Sequence, residues 1–161
     1  MSVRLGELVP DFTAPATGGD FRLSQHLGQA LVIYFYPKDN TPGCTTEGEG
    51  FAVAHRQFAQ AGTRVFGLSR DSLKSHEGFK TKLSLPFELI ADTDESVCTL
   101  FDAIKMKNMY GKQVRGIERS TFLIGPDGRL VREWRGVKVP GHVEEVLAAA
   151  QALGLSASAA G

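Results

Sequence analysis

The sequence predicts an α/β fold built on a central mixed β-sheet with helices on both faces. Three observations carry that prediction. Strand-like apolar runs alternate with helical patterns three times between Ala30 and Ile104, a hairpin signal follows, and an amphipathic helix comes last. At 161 residues the chain can bury one core without disulfide or metal staples, and it shows no internal repeat and no dividing linker, so one domain over 1–161 is expected.

The elements follow in order. An N-terminal segment punctuated by Pro10, Pro15, Gly18 and Gly19 leads into ALVIYFY at 30–36, which is short, β-branched and aromatic, and reads as a buried central strand. From 44 to 61 the apolar residues Phe51, Ala54 and Phe58 recur on one helical face. TRVFGLS at 63–69 is the next strand, the polar segment 72–84 has helical spacing, LPFELIAD is a short strand closing at Asp92, and DESVCTLFDAI begins an acid-started helix. STFLIGPDGRLVREW sets two apolar runs around Gly-Pro-Asp-Gly, a β-hairpin pattern. PGHVEEVLAAAQAL is the closing helix, with Pro140 and Gly141 at its start, and the tail 155–161 is expected to fray.

Composition excludes several functions. Eighteen basic residues balance eighteen acidic ones, so no global field draws the chain to nucleic acid or an anionic membrane, and small or neutral partners are favoured. No apolar segment approaches the roughly 18 residues that span a bilayer, and MSVRLGELVPDF has neither a signal h-region nor an Arg-rich leader. A cytoplasmic location is expected. In a reducing compartment the two cysteines, Cys44 and Cys98, are each to be weighed as free, catalytic or metal-bound thiols.

Cys44 stands out by its setting. It follows a strand and a Pro-rich loop and falls in the first turn of a helix, where unpaired N–H groups and the positive dipole end favour the thiolate. Pro42 suits the first helical position, and Gly43 lets the backbone approach a ligand. The bland reading is a small residue filling space under a loop, and Glu47 and Glu49 would raise the thiol pKa unless they point away. A protease-like base is not legible: His55 lies about 16 Å along the helix axis, and His26, His76 and His142 sit in no protease motif. No pair of Cys or His has zinc-ligand spacing, so neither metal nor cofactor is expected and the histidines read as scattered surface residues.

The run Pro37-Lys38-Asp39-Asn40-Thr41-Pro42-Gly43-Cys44 matches the Pro-x-x-x-Thr-x-x-Cys signature of peroxiredoxins. With LSRDS, SHEGF, NMYGK and GIERSTFLI, the chain resembles the bacterioferritin-comigratory, or Q-type, subgroup from about Leu8 to Leu153. The resemblance implies a thioredoxin-like fold and thiol-dependent reduction of hydrogen peroxide and organic hydroperoxides through a cysteine sulfenic acid. By position, Cys44 resembles the peroxidatic nucleophile, Thr41 would direct its hydroxyl at the peroxide, and Pro37 would shield the thiolate. Backbone N–H groups near Gly43 and Cys44 would meet the developing charge, and Arg119 matches the family's active-site arginine. Read without the family, Arg119 is an ordinary strand-end charge and Thr41 an ordinary turn or N-cap residue.

The sequence departs from its relatives at the resolving step. The two positions where they carry a second cysteine hold Glu49 and Lys80 here, which leaves Cys98, whose plain reading is a half-buried small residue on a helix edge. A one-cysteine mechanism is therefore favoured, with an external thiol such as glutathione, glutaredoxin or thioredoxin as partner. The alternatives are an atypical two-cysteine peroxidase with Cys98 resolving, a non-enzymatic redox sensor, and an inert thioredoxin-fold protein. Gly48 and Gly50 weaken the helix start, which is expected to open locally. Subgroup resemblance suggests a monomer.

Overall fold

The computed structural model describes residues 3–160. Near its start, β1 (Thr13–Ala14) and β2 (Phe21–Arg22) form a short antiparallel ribbon. β3 (Ala30–Phe35) leads to helix α1 (Pro42–Gln60), β4 (Thr63–Ser69) to α2 (Leu73–Leu83), and β5 (Leu89–Ala91) to α3 (Ser96–Leu100). Two hairpins follow, β6 (Ile104–Met109) with β7 (Lys112–Ile117) and β8 (Ser120–Ile124) with β9 (Leu130–Trp134), before α4 (His142–Ala160). No described helix is long and apolar enough to cross a membrane.

The main sheet runs β5-β4-β3-β8-β9, parallel across β3, β4 and β5 and antiparallel from β3 to β8 to β9. All six residues of β3 are buried, as its continuous apolar run requires of a strand covered on both faces. Its side chains alternate between two cores. Leu31, Ile33 and Phe35 join α3 and the N-terminal segment on one face, while Val32, Tyr34 and Tyr36 meet α1, α2 and α4 on the other. The expected helices on both faces are present, unequally: among the described residues the first face carries only α3 and a single 3-10 turn, Leu23–His26.

Helix α1 packs by aromatic contact. Phe51 stacks on Tyr34 with ring centroids 4.5 Å apart and planes 16° off parallel. Each such fully buried Phe contributes about 1.5–3 kcal/mol relative to exposure. α2 starts on Ser72, whose Oγ accepts from the Ser75 N–H at 3.1 Å, and ends on Ser84 in the left-handed conformation.

Three expectations are corrected. The helix in DESVCTLFDAI ends at Leu100, and Asp102 at φ 52° turns the chain away soon after. In LPFELIAD only Leu89–Ala91 joins the ladder, while Leu85 and Phe87 fill the core from an irregular segment. The last helix runs to Ala160 and takes in most of the tail expected to fray.

The β6–β7 hairpin was not legible as strands. Its turn is Tyr110-Gly111 with φ 53° and 78°, both positive, as a two-residue primed turn demands. The hairpin is charged and largely exposed, and its apolar alternation, Ile104 and Met106 between lysines, is too short to read as a strand.

Candidate active site

The sheet register assembles the site. Phe35 pairs with Ser120 across the β3–β8 ladder, so Arg119, the residue before β8, arrives where β3 hands over to the loop before α1. That loop turns through Asn40 at φ 65° and enters the helix with Thr41 extended and Pro42 at its first position. The Thr45 N–H reaches the Thr41 carbonyl at 2.9 Å. The N–H groups of Gly43 and Cys44 precede it and have no helical carbonyl to meet, so they carry the positive end of the helix dipole.

Cys44 is 1% exposed, and Arg119 Nη2 donates to its Sγ at 3.4 Å. The same guanidinium donates through Nη1 to Glu47 Oε1 at 2.5 Å. Gly43 permits this approach, because a Cβ there would lie 3.2 Å from Arg119 Nη2. Glu47 therefore points inward and Glu49 outward, which separates two acids that the sequence leaves equivalent.

Burial pushes the Glu47 carboxyl up to about 7, with Arg119 offsetting only part of the cost, and Oε2 meets no partner among the described residues. Burial disfavours the Arg119 charge, but Glu47 and Cys44 outweigh it and hold the guanidinium protonated. Lys107 of β6, unforeseen in the sequence, reaches back to donate to the Ile117 carbonyl at 2.5 Å, and burial together with the Arg119 charge lowers its pKa.

Thr41 Oγ1 donates to the Lys38 carbonyl at 2.8 Å, so its lone pairs remain free to accept, and Pro37 is half-buried in the same loop. Beside the helix start, Pro42, Gly43, Thr46, Gly50, Val139 and Val143, together with exposed Glu144, line a cavity of about 590 Å³ whose walls are mostly apolar.

Cys98 lies elsewhere. Its side chain belongs to the core on the α3 face and that of Cys44 to the core on the α1 face, with the sheet between them, and both thiols are free. Cys98 is wholly buried rather than half-buried, its N–H donates to Asp92 Oδ2 at 2.7 Å, and burial and Asp92 push its thiol far up. Of the two positions that lack sulfur, Glu49 is exposed and Lys80 pairs with Glu88.

The surface reading of the histidines fails for two of them. His142 is buried with Nε2 2.8 Å from Thr121 Oγ1, and burial lowers its pKa. His76 is wholly buried against Asp39. Among the described residues, Asp39, Asp71 and His76 gather potential ligand atoms within 4.8 Å of one another, but hydrogen bonds with Tyr36, Ser69 and Ser75 already engage this group.

Comparison with known proteins agrees with this geometry. A family model for the AhpC/TSA family matches residues 5–133. Peroxiredoxin Bcp of Xanthomonas campestris pv. campestris is 56% identical over 135 residues, 84% of each chain, and that of Bacillus subtilis is 45% identical over 148 residues, 91% of this chain and 94% of the relative. The solved structure of X. campestris peroxiredoxin Q has a TM-score of 0.87 and 52% identity, covering 94% of this chain and 97% of its own. A structure of the X. campestris bacterioferritin comigratory protein, studied for its alkyl peroxide reduction activity, has a TM-score of 0.87 and 51% identity over 94% of this chain and 98% of its own.

Proposed function

Because the chain belongs to the AhpC/TSA family, as a thioredoxin-like peroxiredoxin of the bacterioferritin-comigratory or Q type and a thiol-dependent peroxidase, we propose that Cys44 is its peroxidatic nucleophile and that an external thiol completes the cycle. The observation that carries the assignment is the 3.4 Å contact from Arg119 Nη2 to Cys44 Sγ at a helix N-terminus.

In this mechanism the Cys44 thiolate attacks the terminal peroxide oxygen. An S–O bond forms, the O–O bond breaks, and the departing alkoxide or hydroxide takes a proton and leaves as alcohol or water. Sulfur is oxidised to the sulfenic acid and the peroxide is reduced by the same two electrons.

Charge builds on the leaving oxygen, so fixed donors matter most. Arg119 supplies one from a guanidinium anchored at its other end by Glu47, and the Gly43 and Cys44 N–H groups supply others. Thr41, its own hydrogen given to Lys38, accepts from the peroxide O–H and so orients it. Pro37 closes one wall against water. The apolar cavity beside Gly43 suits an alkyl tail, which supports organic hydroperoxides alongside hydrogen peroxide, as does the alkyl peroxide activity of the X. campestris relative.

Resolution is assigned to a thiol outside the chain. The sheet separates Cys98 from Cys44, and Glu49 and Lys80 offer no sulfur. The external thiol condenses with the sulfenic acid, releasing water and leaving a mixed disulfide, and a second thiol then displaces Cys44 as thiolate. Small thiols such as glutathione, and glutaredoxin or thioredoxin, are the reductants proposed.

Turnover separates this reading from a redox sensor. With dithiothreitol in excess, the protein should consume many equivalents of hydrogen peroxide and Cys44→Ser should consume none. A stop after one equivalent would favour the sensor.

A further inference from the structure

The segment 37–41 carries Pro37 and Thr41, yet it lies outside the sheet ladder and turns through a left-handed Asn40. Asp39, only 4% exposed, is fastened beneath it. Its carboxylate accepts from Tyr36 Oη at 2.6 Å and Ser75 Oγ at 2.8 Å, and Oδ2 lies 2.8 Å from His76 Nδ1. The Asp39 N–H donates to Asp71 Oδ2 at 2.8 Å, an oxygen that also accepts from Ser69 Oγ. Asp39, in the middle of the turn, is thus tied by its carboxylate to α2 and by its N–H to Asp71 in the β4–α2 loop.

His76 holds the far side of this network. It is wholly buried on α2, and its Nε2 lies 2.9 Å from the Ile90 carbonyl of β5. A carbonyl only accepts, so Nε2 carries a hydrogen, and Nδ1 is left facing the Asp39 carboxylate. Burial disfavours the Asp39 charge, but the hydrogen bonds from His76, Tyr36 and Ser75 prevail and lower its pKa, so the acceptor at this contact is a carboxylate. Nδ1 thus meets that carboxylate at 2.8 Å, with the Tyr36 hydroxyl 3.4 Å away. A pair buried this completely adds little net stability over apolar packing, because desolvation offsets the attraction. What it does supply is direction: a fixed carboxylate in the turn against a fixed imidazole in the helix.

We propose that His76 is a positioning residue of the peroxidase: through Asp39 it fixes the 37–41 turn, so that Thr41 and the start of α1 face the peroxide bound at Cys44. The role rests on the reading of Cys44 as the peroxidatic thiol. It acts on the peroxide side of the site, whereas Arg119 and Glu47 hold the sulfur from another.

Two substitutions separate positioning from packing. Asn puts its amide nitrogen near the place of Nδ1, toward Asp39, while Gln puts its own near Nε2, toward Ile90. His76→Gln is expected to lower the second-order rate constant for hydrogen peroxide by about tenfold or more, and His76→Asn to stay within about threefold of wild type. The titration of Cys44 followed by thiolate absorbance at 240 nm should be unchanged in both. Asp39→Ala, which changes no residue of α2, should lose rate as His76→Gln does. Equal rates in wild type, His76→Gln and Asp39→Ala would overturn the proposal, as would equal losses in Gln and Asn with a displaced thiolate titration. Wild-type protein that consumes no peroxide would instead overturn the reading of Cys44 and the proposal with it, and the wild-type control alone reports that result.

Discussion

Arg119 donates to Cys44 Sγ at 3.4 Å from a guanidinium whose other arm is spent on buried Glu47. Each arm needs the fork of an arginine. Arg119→Lys keeps the charge but offers a single ammonium that cannot serve both partners at these positions. The peroxide rate constant should fall by about a hundredfold, measured by stopped-flow loss of hydrogen peroxide, on the scale seen when one donor to a developing oxyanion is removed. A loss under threefold would show that charge alone suffices.

Glu47 gives stability a pH dependence of unusual sign. Its carboxyl titrates near 4.5 unfolded and near 7 folded, so the native state holds the proton more tightly. The contribution is fully present below the unfolded value and is lost as pH rises through about 7, with a ceiling on the order of 3 kcal/mol. His142 slopes the other way, since its lowered pKa costs stability as pH falls below its usual range. Comparing wild type with Glu47→Gln isolates the first effect: the stability of wild type relative to the variant should decline between pH 5 and about 8 in urea titrations. A constant difference would mean that Arg119 keeps Glu47 ionised throughout.

The two glycines of the helix start differ in what surrounds them. A Cβ at Gly48 would meet Leu83 and Tyr34 at 3.6 Å, ordinary contact, whereas one at Gly50 would press Val143 at 3.0 Å. Gly48→Ala should therefore stabilise α1 by about 0.5–1 kcal/mol. It should also slow amide exchange over residues 44–50 and slow the reduction of oxidised Cys44 by external thiol. Wild-type exchange in this segment as slow as in β3 would remove the premise that the helix start opens.

The apolar cavity beside Gly43 makes a prediction about substrate choice. Val139, half-buried in its wall, is the least invasive place to add a charge. Val139→Asp should reduce the efficiency toward an alkyl hydroperoxide about tenfold while leaving hydrogen peroxide within twofold. An equal loss for both would assign the cavity no part in binding.

The central architecture was legible because its signals are local. β3 reads as a buried strand from its own residues, and Pro42 to Cys44 read as a helix start, so the placing of Cys44 needs no long-range information. Arg119 is different. As a charge before a strand it is ordinary, and only the pairing of Phe35 with Ser120 brings it to the thiol, a register the sequence reveals only by resemblance.

His76 and Cys98 show the limit of pattern reading. α2 is polar over much of its surface, so one histidine on its buried side leaves little periodic trace. α3 has five residues, fewer than two turns, and the helical-face argument that made Cys98 half-buried had too short a span to fix its orientation. Which face of the sheet each cysteine occupies is a property of topology.

The most direct test of the account is the intact mass of the protein after one equivalent of hydrogen peroxide with dimedone as a sulfenic-acid trap, beside Cys98→Ser. Wild type and variant should carry the dimedone adduct on Cys44 to the same extent, because Cys98 lies in the core on the other face of the sheet. A wild-type protein that instead loses about two mass units, with Cys44 joined to Cys98 and the adduct present only in the variant, would contradict the one-cysteine mechanism.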